Sequence, residues 1–152
     1  MYRFIALGAI FAVGVHVHSQ PAQTFRPSSL SLNQTSAQVL QQLGKPEQTE
    51  TLSFDACNDS VSAVRWHYPG LSVTFTNNGH AQHVSQIDVT QGPWQLNGIG
   101  IGDNSSQIKR TFGDTQFIHD VMPYTQKNGQ HWEFTMRHQQ VAAMSLTQSC
   151  SV

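Results

Sequence analysis

Residues 98–115 read GIGIGDNSSQIKRTFGDT, and at a constant offset of 69 residues 29–46 read SLSLNQTSAQVLQQLGKP. Three aligned pairs are identical: Ser36 with Ser105, Gln38 with Gln107, and Gly44 with Gly113. Val39 and Ile108 match in kind. Because similarity at a fixed offset is typical of repeated structural units, this alignment predicts two similar units in one chain.

Each copy has the signals of a short helix, namely an N-cap residue, a capping-box glutamine and a glycine stop. These are Thr35, Gln38 and Gly44 in the first copy, and Asn104, Gln107 and Gly113 in the second. Apolar residues four positions apart, Val39 with Leu43 and Ile108 with Phe112, give each helix one narrow apolar face. Since so short a helix does not persist alone, each must pack against something.

Alternating segments after each helix predict strands. In the first unit they are VRWHYP (64–69), LSVTFT (71–76) and VSQIDVT (84–90), with a hairpin turn at Asn78-Gly79. In the second unit they are QHWEFTMR (130–137) and VAAMSLT (141–147), and a first strand is expected around 48–54 and 115–118. The predicted fold is therefore α+β, with two tandem units of a helix followed by an antiparallel sheet.

Strand alternation separates an apolar side, which faces the helices, from a polar side. The predicted apolar side holds Val73, Phe75, Ile87, Val89, Trp132, Phe134, Met144 and Leu146. The predicted polar side holds Arg65, His67, Thr74, Asp88, Glu133, Thr135, Arg137 and Ser145. This alternation predicts an open polar sheet face.

The N-terminus has the pattern of a secretory signal peptide. Arg3 precedes the apolar run FIALGAIFAVGV (4–15), and Val17-His18-Ser19 suits a cleavage site. We expect residues 1–19 to be a signal peptide, 20–29 a flexible leader, 30–95 the first unit and 96–152 the second. No other segment approaches the ~20 apolar residues of a membrane span, so no transmembrane segment is expected after cleavage; a retained N-terminal anchor is the alternative.

Charge and cysteine content narrow the classes of partner. The chain has 8 Lys and Arg against 9 Asp and Glu, and loss of Arg3 with the signal peptide leaves it slightly acidic, which disfavours nucleic acid and anionic membranes as partners. Cys57 and Cys150 form an even pair in an exported chain, which predicts one disulfide. Such a bridge would contribute about 4 kcal/mol in the chain-entropy model.

The helix pattern T-x-x-x-V-x-x-x-LG-x-P (35–46), the strands after it and a second copy opened by G-I-x-I-G-D resemble a known group. The group comprises the tandem-repeat proteins of the SmpA/OmlA and β-lactamase-inhibitor-protein (BLIP-like) type. The resemblance implies an exported bacterial protein without catalytic activity that binds another protein. BLIP-like proteins clasp an enzyme with a concave polar sheet face, whereas SmpA/OmlA proteins, anchored by a lipidated cysteine, help assemble outer-membrane proteins. This chain lacks that cysteine, and its predicted bridge differs from the within-repeat bridges of the inhibitors.

We therefore expect a periplasmic or secreted, non-enzymatic protein with no cofactor, whose partner is an exported enzyme or an envelope component. The candidate partner-binding residues are Arg65, His67, Asp88, Trp94, Glu133 and Arg137. Arginine and aromatic residues concentrate binding energy at interfaces. Trp94 lies in the linker between the units, where it either forms part of an interface with a partner or fills the space between the two units.

Other functions stay open at this point. An outer-membrane assembly or chaperone factor is one alternative, and a metal module at His80 and His83 is another, although two further ligands are needed. A hydrolase would need a nucleophile, base and carboxylate in reach, and no G-x-S-x-G elbow is present. A carbohydrate or peptide platform would form only if the aromatic residues Trp66, Tyr68, Trp94, Tyr124 and Trp132 were exposed.

The glycines at 98, 100 and 102 do not match a dinucleotide fingerprint or a Walker sequence. The first copy has Ser29, Ser31 and Asn33 at the equivalent positions. Since the first copy manages without glycine, this stretch is interpreted as chain geometry rather than as a phosphate site.

Overall fold

The computed structural model describes residues 30–56, 59–77 and 81–148. The elements are α1 Ser36–Leu43, β1 Gln48–Ala56, β2 Asp59–Tyr68, β3 Leu71–Asn77, β4 Gln82–Val89, β5 Gln95–Leu96, β6 Ile99–Gly100, α2 Ser105–Phe112, β7 Val121–Thr125, β8 Gln130–Arg137 and β9 Gln140–Gln148. The predicted signal peptide, leader, Asn78-Gly79 turn, His80, Cys57 and Cys150 lie outside the described residues.

Seven strands form one antiparallel sheet in the order β1-β2-β3-β4-β9-β8-β7, and β5 and β6 form a separate small hairpin. The chain therefore has a mixed helix and sheet fold that is mostly sheet. We call residues 30–95 the first half and 96–148 the second half. The sequence predicted a sheet in each unit, but the last strands of the two halves, β4 and β9, pair with each other. Their four residue pairs, from Gln86 with Thr147 to Val89 with Met144, form the seam of a continuous sheet.

Both helices contribute to a core on one side of the sheet. Val39 of α1 and Ile108 of α2 are fully buried there. The eight residues that alternation assigned to the apolar side are all buried, which confirms that prediction. Thr74 lies on the other side yet is also buried, and its hydroxyl accepts a hydrogen bond from Arg65 Nε at 3.0 Å.

The predicted helix ends form as the sequence indicated. In α1 the Thr35 hydroxyl accepts a hydrogen bond from the Gln38 amide, and the Gln38 side chain accepts one from the Thr35 amide, which completes a capping box. In α2 the Asn104 side chain caps the Gln107 amide, whereas the Gln107 side chain donates to Asp103 instead. Gly44 and Gly113 end the helices at φ 76° and 93°, a conformation that glycine adopts without strain.

The loop before each helix pairs with β4 or β9, at residues of these strands that lie outside the seam. In the first half, Asn33 N donates to Val84 O at 2.9 Å and Val84 N donates to Gln34 O at 2.8 Å. In the second half, Gly102 N donates to Val141 O at 2.8 Å and Val141 N donates to Asp103 O at 2.8 Å. The two halves thus fix their helices to β4 and β9 with the same pair of hydrogen bonds.

The predicted strand at 115–118 is wrong, because the first strand after α2 is β7, Val121–Thr125. Ile118 and Val121 exchange backbone hydrogen bonds of 2.9 and 3.1 Å, and His119 between them has a φ of 55°. The chain therefore reverses at this point and enters the sheet only afterwards. The first half contributes four strands to the sheet and the second half three.

Two tyrosines tie the helix ends to the sheet. The Tyr68 hydroxyl donates to Gly44 O at 3.1 Å, and the Tyr124 hydroxyl donates to Gly113 O at 2.9 Å. Burial raises the pKa of Tyr68 to about 12. Burial, followed by the negative charge of Asp114, raises the pKa of Tyr124 as well.

This shift predicts a stability loss at alkaline pH. Because the Tyr68 pKa is raised above the ordinary value of 10.0, its contribution is complete below pH 10 and is lost as the pH rises through about 12. The full shift corresponds to roughly 2–3 kcal/mol of unfolding free energy, and solvent screening lowers the expected loss to about 1–2 kcal/mol. Urea denaturation at pH 9 to 12 measures it, and Tyr68→Phe should show a correspondingly smaller loss. Parallel curves for the two proteins would contradict the assignment.

Candidate binding face

The side of the sheet opposite the helices carries two rows of side chains, with one residue from each strand in each row. The first row is Gln48, His67, Ser72, Asp88, Ser145, Glu133 and Pro123. The second row is Glu50, Arg65, Thr74, Gln86, Thr147, His131 and Thr125. We call these two rows the open face.

In the first half, the open face is tied together around His67. Its Nε2 lies 3.3 Å from Glu50 Oε2, and its Nδ1 lies 3.1 Å from Ser72 Oγ. Because a carboxylate only accepts, Nε2 carries a proton and donates to Glu50, while Nδ1 forms a hydrogen bond with the serine hydroxyl. Three neighbouring strands are thereby cross-linked through one side chain.

At the seam, Asp88 connects the two halves. Its carboxylate accepts hydrogen bonds from the Ser145 hydroxyl of β9 at 2.8 Å and from the side-chain amide of Gln86 at 2.9 Å. An ionised carboxylate strengthens the bonds that it accepts. Asp88 therefore holds β4 and β9 together from the open face while the apolar core does so from the other side.

In the second half, His131 makes the same kind of contacts as His67. Its Nδ1 lies 2.9 Å from Thr125 Oγ1, and its Nε2 lies 3.2 Å from Glu133 Oε1. Each half thus carries one imidazole held between a carboxylate and a hydroxyl. Since the fixed rotamers lose little further entropy on association, this face is organised before any partner arrives.

The order carboxylate, imidazole, hydroxyl is also that of a hydrolase relay, but the surroundings differ. Such a relay works with backbone N–H groups that point at the developing oxyanion. Ser72 lies in β3, between β2 and β4, where strand amides serve the sheet ladders. We interpret both imidazole clusters as cross-strand ties.

Four of the six predicted binding residues lie together on the open face: Arg65, His67, Asp88 and Glu133. Arg137 is exposed at the end of β8, four residues from Glu133 and outside the two rows. Among the described residues, neither arginine forms an ion pair. An unpaired guanidinium offers several donors to a partner.

Trp94 does not belong to this face. It is only 7% exposed and forms part of the core on the helix side, and its indole N–H donates to Pro69 O at 2.8 Å. Its burial fits packing in the core rather than direct contact with a partner. Trp66, Tyr68, Tyr124 and Trp132 also lie on the helix side, so they form no exposed platform.

A cavity of about 360 Å³ lies beside Trp94. Its lining consists of Leu43, Lys45, Glu47, Tyr68, Pro69, Pro93 and Trp94. The Tyr68 hydroxyl and the Trp94 indole N–H both bind backbone oxygens. The two aromatic residues therefore present mainly ring surface to the cavity.

The sequence did not single out five residues that form side-chain hydrogen bonds on the open face: Glu50, Ser72, Gln86, Thr125 and His131. Alternation along β2 and β8 places their neighbours on this face, but the pairing between strands decides which side chains meet. That pairing shifts at Thr74/Phe75 and at Thr135/Met136, and such bulges are not visible in the alternation of a single strand.

The candidate metal pair is only half described, because His80 lies outside the described residues. His83 is engaged, with its Nδ1 3.0 Å from Asn33 O. Within residues 30–56, 59–77 and 81–148, no cluster of three or more His, Cys, Asp or Glu side chains is arranged to hold a metal ion. The metal module thus gains no support from the described part of the chain.

The glycine-rich stretch forms the β5–β6 hairpin and the approach to α2. Its Gly100 amide donates to Asp103 Oδ2 at 2.8 Å, and the Ser31 amide of the first half donates to Gln34 Oε1 at 3.0 Å in the equivalent position. A carboxylate that already accepts from a loop amide competes with a phosphate for that amide and repels the phosphate's negative charge. This arrangement favours the interpretation as chain geometry.

The equivalence predicts which substitutions position 102 tolerates. Gly102 has φ 89°, and its counterpart Asn33 has φ 67°. Because asparagine adopts this left-handed conformation more readily than other side chains, Gly102→Asn should lower the unfolding free energy by less than about 0.5 kcal/mol and Gly102→Val by about 1–2 kcal/mol. Thermal denaturation of both variants measures the difference. Equal losses would contradict the geometric role.

No family model and no curated protein matches the sequence. Two solved structures are similar in part. An extracellular protein containing an SCP domain from Bacillus anthracis str. Ames has 8% identity and a TM-score of 0.45, with 77% of this chain and 44% of that chain covered. A DUF4309 family protein (YjgB) from Bacillus subtilis subsp. subtilis str. 168 has 17% identity and a TM-score of 0.42, with 86% of each chain covered.

The chain thus spans less than half the length of the SCP-domain protein. At these identities and TM-scores, neither structure lends this chain an activity or a partner. In the described ranges, the structure contains no helix that is long and apolar enough to cross a membrane.

Proposed function

We propose that this chain is an exported, non-enzymatic protein that binds another protein through the open face. One observation carries the proposal: all seven strands contribute to a polar, hydrogen-bonded face on the side opposite the helices. The face contains one arginine from the first half, together with carboxylates, imidazoles and hydroxyls from both halves. Such a mixed surface suits a protein partner better than a nucleic acid, which requires a cationic surface.

The organisation of the face supports binding by complementarity. Glu50, His67 and Ser72 hold one another in one half, and Thr125, His131 and Glu133 do so in the other. Arg65 is oriented through its Nε bond to Thr74, which leaves the outer part of the guanidinium to reach a partner. Arginine is among the residues that most often dominate binding energy.

We further propose that the two halves are tandem copies of one unit. Supporting this, the hydrogen bonds of Asn33 and Gln34 with Val84 recur between residues 102–103 and Val141. The tyrosine bonds to the two helix-ending glycines recur as well. Duplication agrees with the resemblance to BLIP-like and SmpA/OmlA proteins, and the signal-peptide pattern of residues 1–19 supports a periplasmic or secreted location.

Photo-crosslinking from the open face tests the function. Thr135 is exposed next to the open face on β8, and Thr111 is exposed on α2, on the opposite side of the sheet. We expect a photo-reactive residue at 135 to capture a defined protein in the native envelope, identified by mass spectrometry. The same residue at 111 should not. Capture of outer-membrane proteins would favour the assembly-factor alternative, and capture of one secreted enzyme would favour the inhibitor type.

A matched pair of arginines tests the energetics with the captured partner. Arg65→Ala should weaken binding at least tenfold, because this guanidinium belongs to the open face. Arg110→Ala removes an exposed arginine from α2 and should leave the dissociation constant unchanged. Equal effects of the two substitutions in a calorimetric titration would overturn the assignment of the face.

A further inference from the structure

The first strand of the sheet, β1, is an unusually regular edge. It lies at one end of the seven-strand order and pairs with β2 over nine consecutive residue pairs without a register shift. Its sequence QTETLSFDA contains no Lys, Arg, Pro or Gly. The opposite edge strand, β7, has only 5 residues, with Pro123 at its centre.

These two edges differ in how they meet a further strand. Proteins protect sheet edges with short strands, prolines, lysines or bulges, because an unprotected edge offers a row of main-chain donors and acceptors. β7 has two of these protections. β1 has no lysine, proline or register shift, and its charged residues are two carboxylates, Asp55 and Glu50, the second of which is held by His67. This is the pattern of an edge that accepts another strand.

The side chains of β1 define which strand fits. Glu50, Leu52 and Phe54 lie on the side of the open face, and Thr49, Thr51 and Ser53 lie on the helix side. Phe54 is 39% exposed. A matching strand alternates apolar and hydroxyl residues and places no carboxylate opposite Glu50, because like charges directly opposite are destabilising.

We propose that this partner is a second copy of the chain, joined β1 to β1 in antiparallel fashion about Leu52. In that register Leu52 lies opposite its own symmetry mate, Thr51 lies opposite Ser53, and Glu50 lies opposite Phe54. β1 thus suits its own copy, because residues 51–54 alternate hydroxyl and apolar side chains and no carboxylate lies opposite Glu50. The sheets of two copies then continue into one, and their open faces lie on the same side.

The dimer is small. A single strand pair buries less than about 1,000 Å² in total, which is the range of weak, reversible association. We expect a dissociation constant in the micromolar to submillimolar range. The inference does not depend on the open face having a partner, since it uses only the edge and side chains of β1.

Sedimentation equilibrium of the full chain from micromolar to millimolar concentration tests the dimer. Leu52→Lys should weaken dimerisation at least tenfold, because a lysine at the two-fold axis faces its own mate. The matched control is Val121→Lys, which lies on the opposite edge strand and outside the two rows of the open face and should leave the dissociation constant of the dimer unchanged. Circular dichroism confirms that both variants fold. A monomer at all concentrations, or equal effects of the two lysines, would overturn the proposal.

Cysteine cross-linking tests the register. Under mild oxidation, Leu52→Cys should give a covalent dimer that the wild type, with its own Cys57 and Cys150, does not give, because residues opposite each other across strands lie within disulfide range. Gln48→Cys should not, since residue 48 lies far from its mate in this register. Equal cross-linking at 48 and 52 would refute the proposed pairing.

Discussion

Phe134→Ala is expected to lower the free energy of unfolding by about 3–5 kcal/mol, the range for truncation of a fully buried aromatic residue. Phe134 has no solvent exposure. Its ring lies 5.4 Å from Phe112 and 6.1 Å from both Tyr124 and Trp132, measured between centroids. The contact thus joins α2, β7 and β8, and a close-packed interior does not collapse to fill the space that remains.

Urea denaturation of the purified variant measures this loss. Phe117 provides a matched control, because it is a phenylalanine of the same half with 47% exposure. Phe117→Ala should change the unfolding free energy by less than about 0.5 kcal/mol. A loss below about 1 kcal/mol for Phe134→Ala would show that the packing under α2 is wrong.

Ile87→Ala should destabilise both halves together, by about 2–5 kcal/mol. Ile87 is fully buried and lies opposite Leu146 across the seam. Because the two halves share one sheet and one apolar core, opening either exposes the other. Amide hydrogen exchange followed by NMR should show an equal decrease in opening free energy for β2 and for β8.

Thr147→Ala is the control at the same seam. Thr147 lies opposite Gln86 on the open face, so its truncation creates no core cavity and should change exchange rates little. Loss of protection confined to β1, β2 and β3 in Ile87→Ala would mean that the halves unfold as independent domains. That result would support the division into separate units at residue 95.

The local features of the fold were predictable because their causes are local. Thr35, Asn104, Gly44 and Gly113 fix the helix ends through contacts within three or four residues. The apolar alternation of β3, β4, β8 and β9 likewise reflects a single buried side. In each case the residues that give the sequence pattern are the same residues that form the helix cap or the buried side of the strand.

The arrangement of the strands was less predictable. The seam depends on β4 meeting β9 more than fifty residues later, and no residue of either strand encodes that choice by itself. β7 was missed because Pro123 interrupts its pattern and because the turn at His119 displaces its start. The sequence indicated Trp94 as a tie between the halves, whereas the connection that the structure shows is the seam between β4 and β9.

The sequence predicted which residues lie on the polar side of the sheet, but not which of them contact one another. Arg65, His67, Asp88 and Glu133 were assigned to the polar side from alternation alone. Their partners depend on cross-strand register, which the bulges opposite Thr74 and Thr135 reset. Alternation therefore assigns residues to a face, whereas the pairing of the strands decides which of them form hydrogen bonds.

The loops that fix the helices to β4 and β9 also determine where this protein is vulnerable. Each loop forms main-chain hydrogen bonds with β4 or β9 in the middle of the sheet. A helix that detaches with its loop therefore exposes the core where Val39 or Ile108 was packed and leaves the main chain of that strand without its partner. We therefore expect self-association under stress to proceed by exchange of a helix and its loop between copies. Its products would be domain-swapped oligomers whose subunits keep their native contacts.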